Sequence, residues 1–414
     1  MKYIFKFDFV RWFELGISFF LFFFLVAPKV SNLFIFVLIL IVLFGYYKKD
    51  ISFKFSRIFI LFFSFYFFYL IGSIWTNHLS IALGYLEKKI SLLLFPLLFS
   101  FRLVKGNISL YKPILFFLIG LIFLSIAGFV NSFHCFFVNG STLCFTSSTL
   151  SFVQHPTYFA AFLFFSMGLV WYGYQQKFKF FSYKLVVIYL IFAFIVQFLL
   201  VSLAGILYMF LFLFILLLKY LHTKYNRFLI VSSVILFTVS AFFGVKYVPY
   251  LKDEVAQSKE AFLIYMQNPD SFIQSRIYPF SGNETRLSMW HVSSQVFKEH
   301  ILGVGTGNVD DYLGAKIISF GQPEFAALNF NPHNQFLQIA VEIGIFGLIL
   351  FVFLLGSVLS ISVKTRNYLL FILITSLIFN SMFESMLQKQ SGMVFYSFWI
   401  TLLIAHPHLL NEKN

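Results

Sequence analysis

Arg286 and His333 are the side chains in this sequence best suited to act together on a phosphate-bearing substrate. Arg286 stands in ETRLSMWHVSSQVFKEH, where Trp290, Ser293 or Ser294, and Phe297 follow at i+4, i+7/8 and i+11, so a helix puts them on one face. A guanidinium beside an aromatic on a mostly apolar face offers a planar fork of donors that matches phosphate; an ion pair with Glu284 or Glu299 would occupy it equally well. His333 lies in FNPHNQFLQIAVEIGIFGLILF, at the change from polar to apolar sequence, with Asn331 and Pro332 as a helix entry. An imidazole is the side chain suited to take a proton from a hydroxyl near neutral pH, while Asn334 beside it can orient the reacting groups. A lone histidine at such a boundary otherwise serves as a polar anchor. Base and clamp together are what group transfer from a phosphate ester needs.

Other polar positions cluster around these two. Asn334, Gln338 and Glu342 recur at i, i+4 and i+8, a polar stripe reaching about 12 Å down a helix at 1.5 Å per residue. Such a stripe implies an outward-opening wet cavity or a protein interior; Glu342 either lines it or joins helices by hydrogen bonding. Gly303, Gly305 and Gly307 alternate in HILGVGTGN, without the βαβ context of a nucleotide site. They are read as turn glycines, or as a backbone cradle for a pyrophosphate. Gln154, His155, Pro156, Thr157 and Tyr158 open another apolar stretch, where His155 could face the same cavity. Asp310 and Asp311 are neighbours that point apart, with no third ligand to complete a metal set, and no metal is expected.

The elements that must carry these groups are membrane helices. Of 414 residues, 60% are hydrophobic and only 11% charged, with 65 Phe, which excludes a soluble enzyme and a disordered binder. Apolar stretches at roughly 12–28, 32–47, 58–76, 90–104, 113–133, 151–174, 184–201, 203–219, 228–245, 334–357, 368–386 and 392–409 predict an all-α polytopic fold of about twelve transmembrane helices. The fourteen-charge excess of base over acid is spread along short connections, as in Lys48, Lys49, Lys54 and Arg57, or Lys177, Lys179 and Lys184. That distribution is an orientation signal and gives no basic face for nucleic acid. Both termini are then cytoplasmic and the long connection 246–333 outward, dividing the chain into 1–245, 246–333 and 334–414. The first stretch lacks an A-x-A site and reads as a span, not a signal peptide.

Within the long connection, 253–267 predicts an amphipathic helix lying on the membrane and stopping at Asn268–Ser271. Ser281 and Glu284 form a capping-box pattern ahead of the Arg286 helix. The run 183–220 is too long for one helix and predicts a tight outward hairpin near Ser202, Ala204 and Gly205. Cys135 and Cys144 share one outward connection and either pair or stay free.

Arg286-x-x-x-Trp290, Leu302-Gly303-Val304-Gly305-x-Gly307-Asn308, His333-Asn334-x-x-Leu337 and Glu342-x-Gly344-x-x-Gly347 together resemble the O-antigen ligase and polymerase superfamily. The resemblance implies a metal-independent, inverting glycosyltransferase without a cofactor. It would take a glycan from undecaprenyl pyrophosphate at the periplasmic face of the bacterial inner membrane and pass it to lipid A-core; polymerisation or protein glycosylation are the alternatives within the family. By the same resemblance Arg286 binds the pyrophosphate, His333 activates the acceptor or organises the donor, and Asn334 orients the site. Members of the family often carry Ser-Arg at the outer hairpin, where this chain has Ser202-Leu203, so Lys246, Arg276 or Lys316 would have to supply a second cation. A transporter or lipid flippase is the competing class, weakened by few ionisable residues within spans, mainly Glu342 and Glu384.

Overall fold

The computed structural model describes residues 8–104, 108–224, 249–275 and 279–406. The expected span at 228–245, the side chains of Lys246 and Arg276, and both ends of the chain lie outside the described residues.

Long Phe- and Leu-rich helices form the body. α1 (Phe9–Val26) is capped by Asp8, whose side chain accepts from the Arg11 amide at 3.2 Å. Pro28 sits at the first position of α2 (Pro28–Tyr47), where its missing N–H costs nothing. α3 (Arg57–Gly72), α4 (Leu79–Lys89) and α5 (Ser91–Leu98) follow. α6 (Tyr111–Asn139), the short α7 (Ser147–Leu150), α8 (Pro156–Gln175), α9 (Tyr183–Leu199) and α10 (Leu203–Lys224) complete the first part. Among the described residues, α1, α2, α6 and the later α16 (Gln335–Lys364) are long and apolar enough to cross a membrane. Several shorter apolar helices pack among them, including α3, α9, α17 (Tyr368–Ser381) and α18 (Gln390–Ala405). This is an all-α integral membrane architecture, whose core stacks rings such as Phe20, Phe95, Phe398 and Trp399.

Two expected spans change, and the expected hairpin forms. No helix covers 90–104: α5 ends at Leu98, and Phe101–Leu103 instead pairs antiparallel with Ile51–Phe53 as a two-stranded ribbon. The helical stretch in this part begins earlier, with α4 turning almost directly into α5 at Ile90. The hairpin between α9 and α10 is made by Leu200, Val201 and Ser202, with Val201 at φ +50°. The stretch 368–386 is helical only to Ser381, which leaves Glu384 in a connecting segment and not inside a helix.

Between the membrane helices sits a small helical cap with its own apolar core. It comprises α11 (Pro249–Gln267), α12 (Pro269–Ser275), α13 (Gly282–Glu299), α14 (Val309–Ser319) and α15 (Pro323–Ala326). Phe272, Ile273, Met289, Val292, Leu313 and Phe325 fill that core, and Val304 and Val341 join it to α16. α11 does not stand alone: Ala261 is buried in this cluster, and the helix packs on α12 and α13. Nor does Asn268–Ser271 end helical structure, because Asn268 accepts the Ser271 amide at 3.0 Å and starts α12. The capping box forms as its spacing predicts, Ser281 and Glu284 bonding each other's backbone amides. Cys135 and Cys144 form a disulfide with Cα atoms 5.7 Å apart, tying the end of α6 to the turn after it.

The glycine run joins cap to membrane. α16 breaks at Ile343 and Gly344, where φ is +71° at the glycine. The Val304 and Gly305 amides donate to the Val341 and Glu342 carbonyls at 2.8 and 3.0 Å, and the Ile345 amide donates to Ile301 at 3.0 Å. The glycine loop thus supplies the bonds that the kink removes. Thr306 extends the splice to α3, its amide donating to Gly72 and its hydroxyl to Tyr69. Gly303 has φ +89°, and a Cβ there would lie 2.5 Å from the Gly344 nitrogen. Only glycine satisfies both the conformation and the approach.

Candidate active site

The segment Met382–Gln388, between α17 and α18, gathers the polar groups. Asn334 Nδ2 donates to the Met382 carbonyl at 3.1 Å, and Arg286 Nε donates to the Phe383 carbonyl at 3.3 Å. His333 Nδ1 lies 3.2 Å from Glu384 Oε2. The Tyr158 hydroxyl donates to the Ser385 carbonyl at 3.1 Å, the Leu387 amide donates to Gln335 Oε1 at 2.6 Å, and Lys89 Nζ donates to Gln388 Oε1 at 3.2 Å. Four stretches remote in sequence, around 89, 158, 286 and 333, meet on these seven residues.

His333 precedes its helix instead of occupying the first turn. Asn334 is the N-cap of α16, its Oδ1 accepting the amides of Phe336 and Leu337 at 2.9 and 3.1 Å. His333 is therefore held at φ +46°, outside the helix, with its amide on Asn331 Oδ1 and its carbonyl accepting from Trp290 Nε1 at 3.3 Å. A non-glycine residue in the left-handed region costs about 1–3 kcal/mol, so the surrounding bonds must hold it there. Its Nε2 is buried and, among the described residues, has no partner.

Arg286 and Trp290 share the face of α13 that the spacing predicts, turned toward Phe383 and His333. Arg286 Nη1 also donates to the Gly282 carbonyl and to Asn283 Oδ1, at 3.2 and 3.5 Å. All three acceptors are neutral. Among the described residues Arg286 forms no ion pair with Glu284, Glu299 or any other carboxylate, so no directly bonded anion neutralises it. Glu299 pairs instead with Lys316 at 2.5 Å, which commits one of the cations considered for a second phosphate contact.

Electrostatics bind the site together. Burial opposes the charge on Glu384, but the hydrogen bond and charge of His333, and the charges of His155 and Arg286, bring the carboxyl below its ordinary value. Burial lowers His155, with Glu384 opposing and Lys389, His333 and Arg286 adding to the effect. His155 stands at the residue before α8 without capping it through its side chain, and its ring lies 5.9 Å from that of Tyr158, which places this motif beside the hub.

The polar stripe on α16 goes elsewhere. Gln338 Nε2 donates to Glu342 Oε2 at 3.1 Å, and Lys89 Nζ lies 3.5 Å from Glu342 Oε1, with Lys89 and Glu342 both fully buried. Lys89 also sits 4.4 Å above the Tyr69 ring. The stripe that implied an open cavity is closed by Lys89. The amides of Gly303 and Gly305 are likewise occupied, by His300 and Glu342, so these glycines stand in the splice and not free to cradle a ligand. Asp311 pairs with His78 at 2.6 Å and Asp310 accepts from Tyr85 at 3.4 Å; no metal-binding group of three appears among the described residues.

Sequence reasoning missed Glu384 as a partner of His333, and Lys89 as a partner of Glu342. The second had a signal: Ala82, Leu86 and Lys89 fall at i, i+4 and i+7, which puts the lysine on the buried face of α4. Glu384 had none, since placing it outside a helix required knowing that α17 stops at Ser381.

An apolar helical body, a polar cap and a convergent Arg–His–Glu cluster at their junction define an integral membrane protein with an enzyme-like site. Residues 188–352 match a family model described as O-Antigen ligase, a span that holds Arg286, the glycine loop, His333 and Glu342. A Rickettsia conorii protein provisionally named a polysaccharide ligase is 39% identical over 70 residues, 16% of this chain and 17% of that relative. These matches place the matched region in the O-antigen ligase superfamily, as the motifs indicate.

Proposed function

We propose that this protein transfers a glycan from undecaprenyl pyrophosphate to a hydroxyl acceptor, lipid A-core, at the periplasmic face of the inner membrane, by inversion and without a metal. The observation that carries this reading is the meeting of Arg286 and His333 on adjacent residues, Phe383 and Glu384. A guanidinium with only neutral partners attracts the donor's diphosphate and stabilises the negative charge that grows on it as the glycosidic bond breaks. An imidazole with an unengaged buried nitrogen accepts the acceptor's proton. Trp290 fixes His333 through its carbonyl, Asn334 fixes the chain on its other side, and His155 borders the same space. Gln338 and Glu342 are bonded to each other and closed off by Lys89, so they stabilise α16 instead of meeting substrate, and the glycine loop holds α16 in its kinked form. The relative's name supports polysaccharide ligation in preference to polymer extension.

The test is a purified preparation given a lipid-diphosphate-linked glycan and lipid A-core. Expected is a single glycan added with inverted anomeric configuration, with release of lipid diphosphate and no loss on chelation. Chain extension without acceptor would redirect the reading to a polymerase; movement of donor across proteoliposomes without transfer would overturn it.

A further inference from the structure

Glu384 sits where its carboxylate acts on both imidazoles of the site. It is 6% exposed, and a carboxylate so buried must be compensated. His333 from the chain before α16, His155 from the chain before α8 and Arg286 from α13 all favour its charge, while Lys389, ahead of α18, faces His155. Oε1 accepts the Ser385 amide at 3.2 Å, and Oε2 faces His333 Nδ1 at 3.2 Å. An ionised carboxylate can only accept, so Nδ1 must carry the hydrogen. In the neutral ring the lone pair is then at Nε2, the buried nitrogen without a partner among the described residues.

We propose that Glu384 is a positioning residue which fixes the tautomer and orientation of His333 and stabilises the imidazolium formed during transfer. This rests on the transfer reading above. In the step itself, Nε2 takes the acceptor's hydroxyl proton, the hydroxyl oxygen bonds to the anomeric carbon, and the bond from that carbon to the diphosphate oxygen breaks. The lipid diphosphate leaves with the electron pair, and the proton on His333 passes to solvent. Glu384 transfers no proton; its charge is what makes the proton-bearing ring acceptable in a buried place.

Glu384→Gln keeps the shape and an acceptor oxygen but removes the charge. In the full-length purified protein, kcat is expected to fall by about 10-fold or more, since a catalytic histidine whose orienting carboxylate becomes an amide can lose about 10⁴ in kcat. KM for the lipid-linked donor should change little, and the acidic limb of the rate profile should move to lower pH, because the uncharged partner no longer favours the imidazolium. Glu384→Asp should recover part of kcat and return the limb. A second readout needs no turnover: the pH dependence of diethylpyrocarbonate modification at His333, located by mass spectrometry, should have its midpoint moved to lower pH in Glu384→Gln. An unmoved midpoint and limb with wild-type kcat would overturn the proposal, as would a loss confined to KM. If the midpoint moves but the wild-type protein transfers no glycan, the transfer reading fails while the pairing of Glu384 with His333 stands.

Discussion

Removing Lys89 should be far more damaging than removing a typical lysine, because its ammonium and the Glu342 carboxylate are both fully buried and 3.5 Å apart. Taken singly, Lys89→Met leaves Glu342 with one hydrogen-bond donor, Gln338 Nε2 at 3.1 Å, in a low-dielectric interior. Breaking a buried pair in this way costs about 3–5 kcal/mol, a factor of roughly 10² to 10⁴ in the ratio of folded to unfolded protein. Replacing both partners, Lys89→Met with Glu342→Leu, removes the stranded charge, so the double variant should be less destabilised than the sum of the two singles. The coupling should be at least about 1 kcal/mol, as expected for residues in direct contact. The assay is unfolding of the detergent-solubilised protein, followed by helical circular dichroism, for wild type, both singles and the double. Single variants that each cost under about 1 kcal/mol, with additive effects, would refute the claim that the polar stripe of α16 is closed by an ion pair, and would restore an open, wet cavity there.

Gly303→Ala should destabilise by about 2 kcal/mol or more, since the new Cβ would meet backbone atoms of Gly344 and Glu342 at 2.5 and 2.9 Å and sit at φ +89°. Gly314→Ala in α14, where nothing lies within 4 Å of the added carbon, should be neutral or stabilising by up to about 1 kcal/mol; equal effects at the two sites would contradict the splice. His155 supplies a pH test. Its folded-state value is lowered by burial, so below the ordinary 6.5 the unfolded chain takes up a proton that the folded site resists. Stability should therefore be fully present above that pH and decline on acidification, with a smaller decline in His155→Gln over pH 7.5 to 5.5; identical slopes would remove His155 from the charged cluster.

Much of this site was legible because its signals are local. Arg286 and Trp290 share a face at i, i+4; Ser281 and Glu284 cap at fixed spacing; Asn334 sits where apolar periodicity begins. The helical membrane body followed from composition, since so little charge cannot cover water-facing domains. What could not be read depends on contacts across the chain. The residues at 101–103 are apolar enough for a helix, yet find a strand partner at 51–53. The polar stripe could not reveal whether a cavity or Lys89 would satisfy it. Asn331–Pro332 suggested that His333 would be helical, but the cap formed one residue later and left the histidine in a left-handed turn. Glu384, invisible as a partner until α17 was seen to end, pairs with His333 beside the Phe383 carbonyl that takes the Arg286 bond.

The central claim is that one diphosphate-linked donor is handled jointly by the guanidinium and the imidazole that meet at Phe383 and Glu384. Its most direct test is the initial rate of glycan transfer by purified wild type, Arg286→Ala and His333→Ala, each confirmed as folded and each titrated for donor binding. The account predicts transfer reduced at least about 100-fold in both variants, with donor affinity weakened in Arg286→Ala and largely retained in His333→Ala. Transfer at the wild-type rate by both folded variants would contradict it.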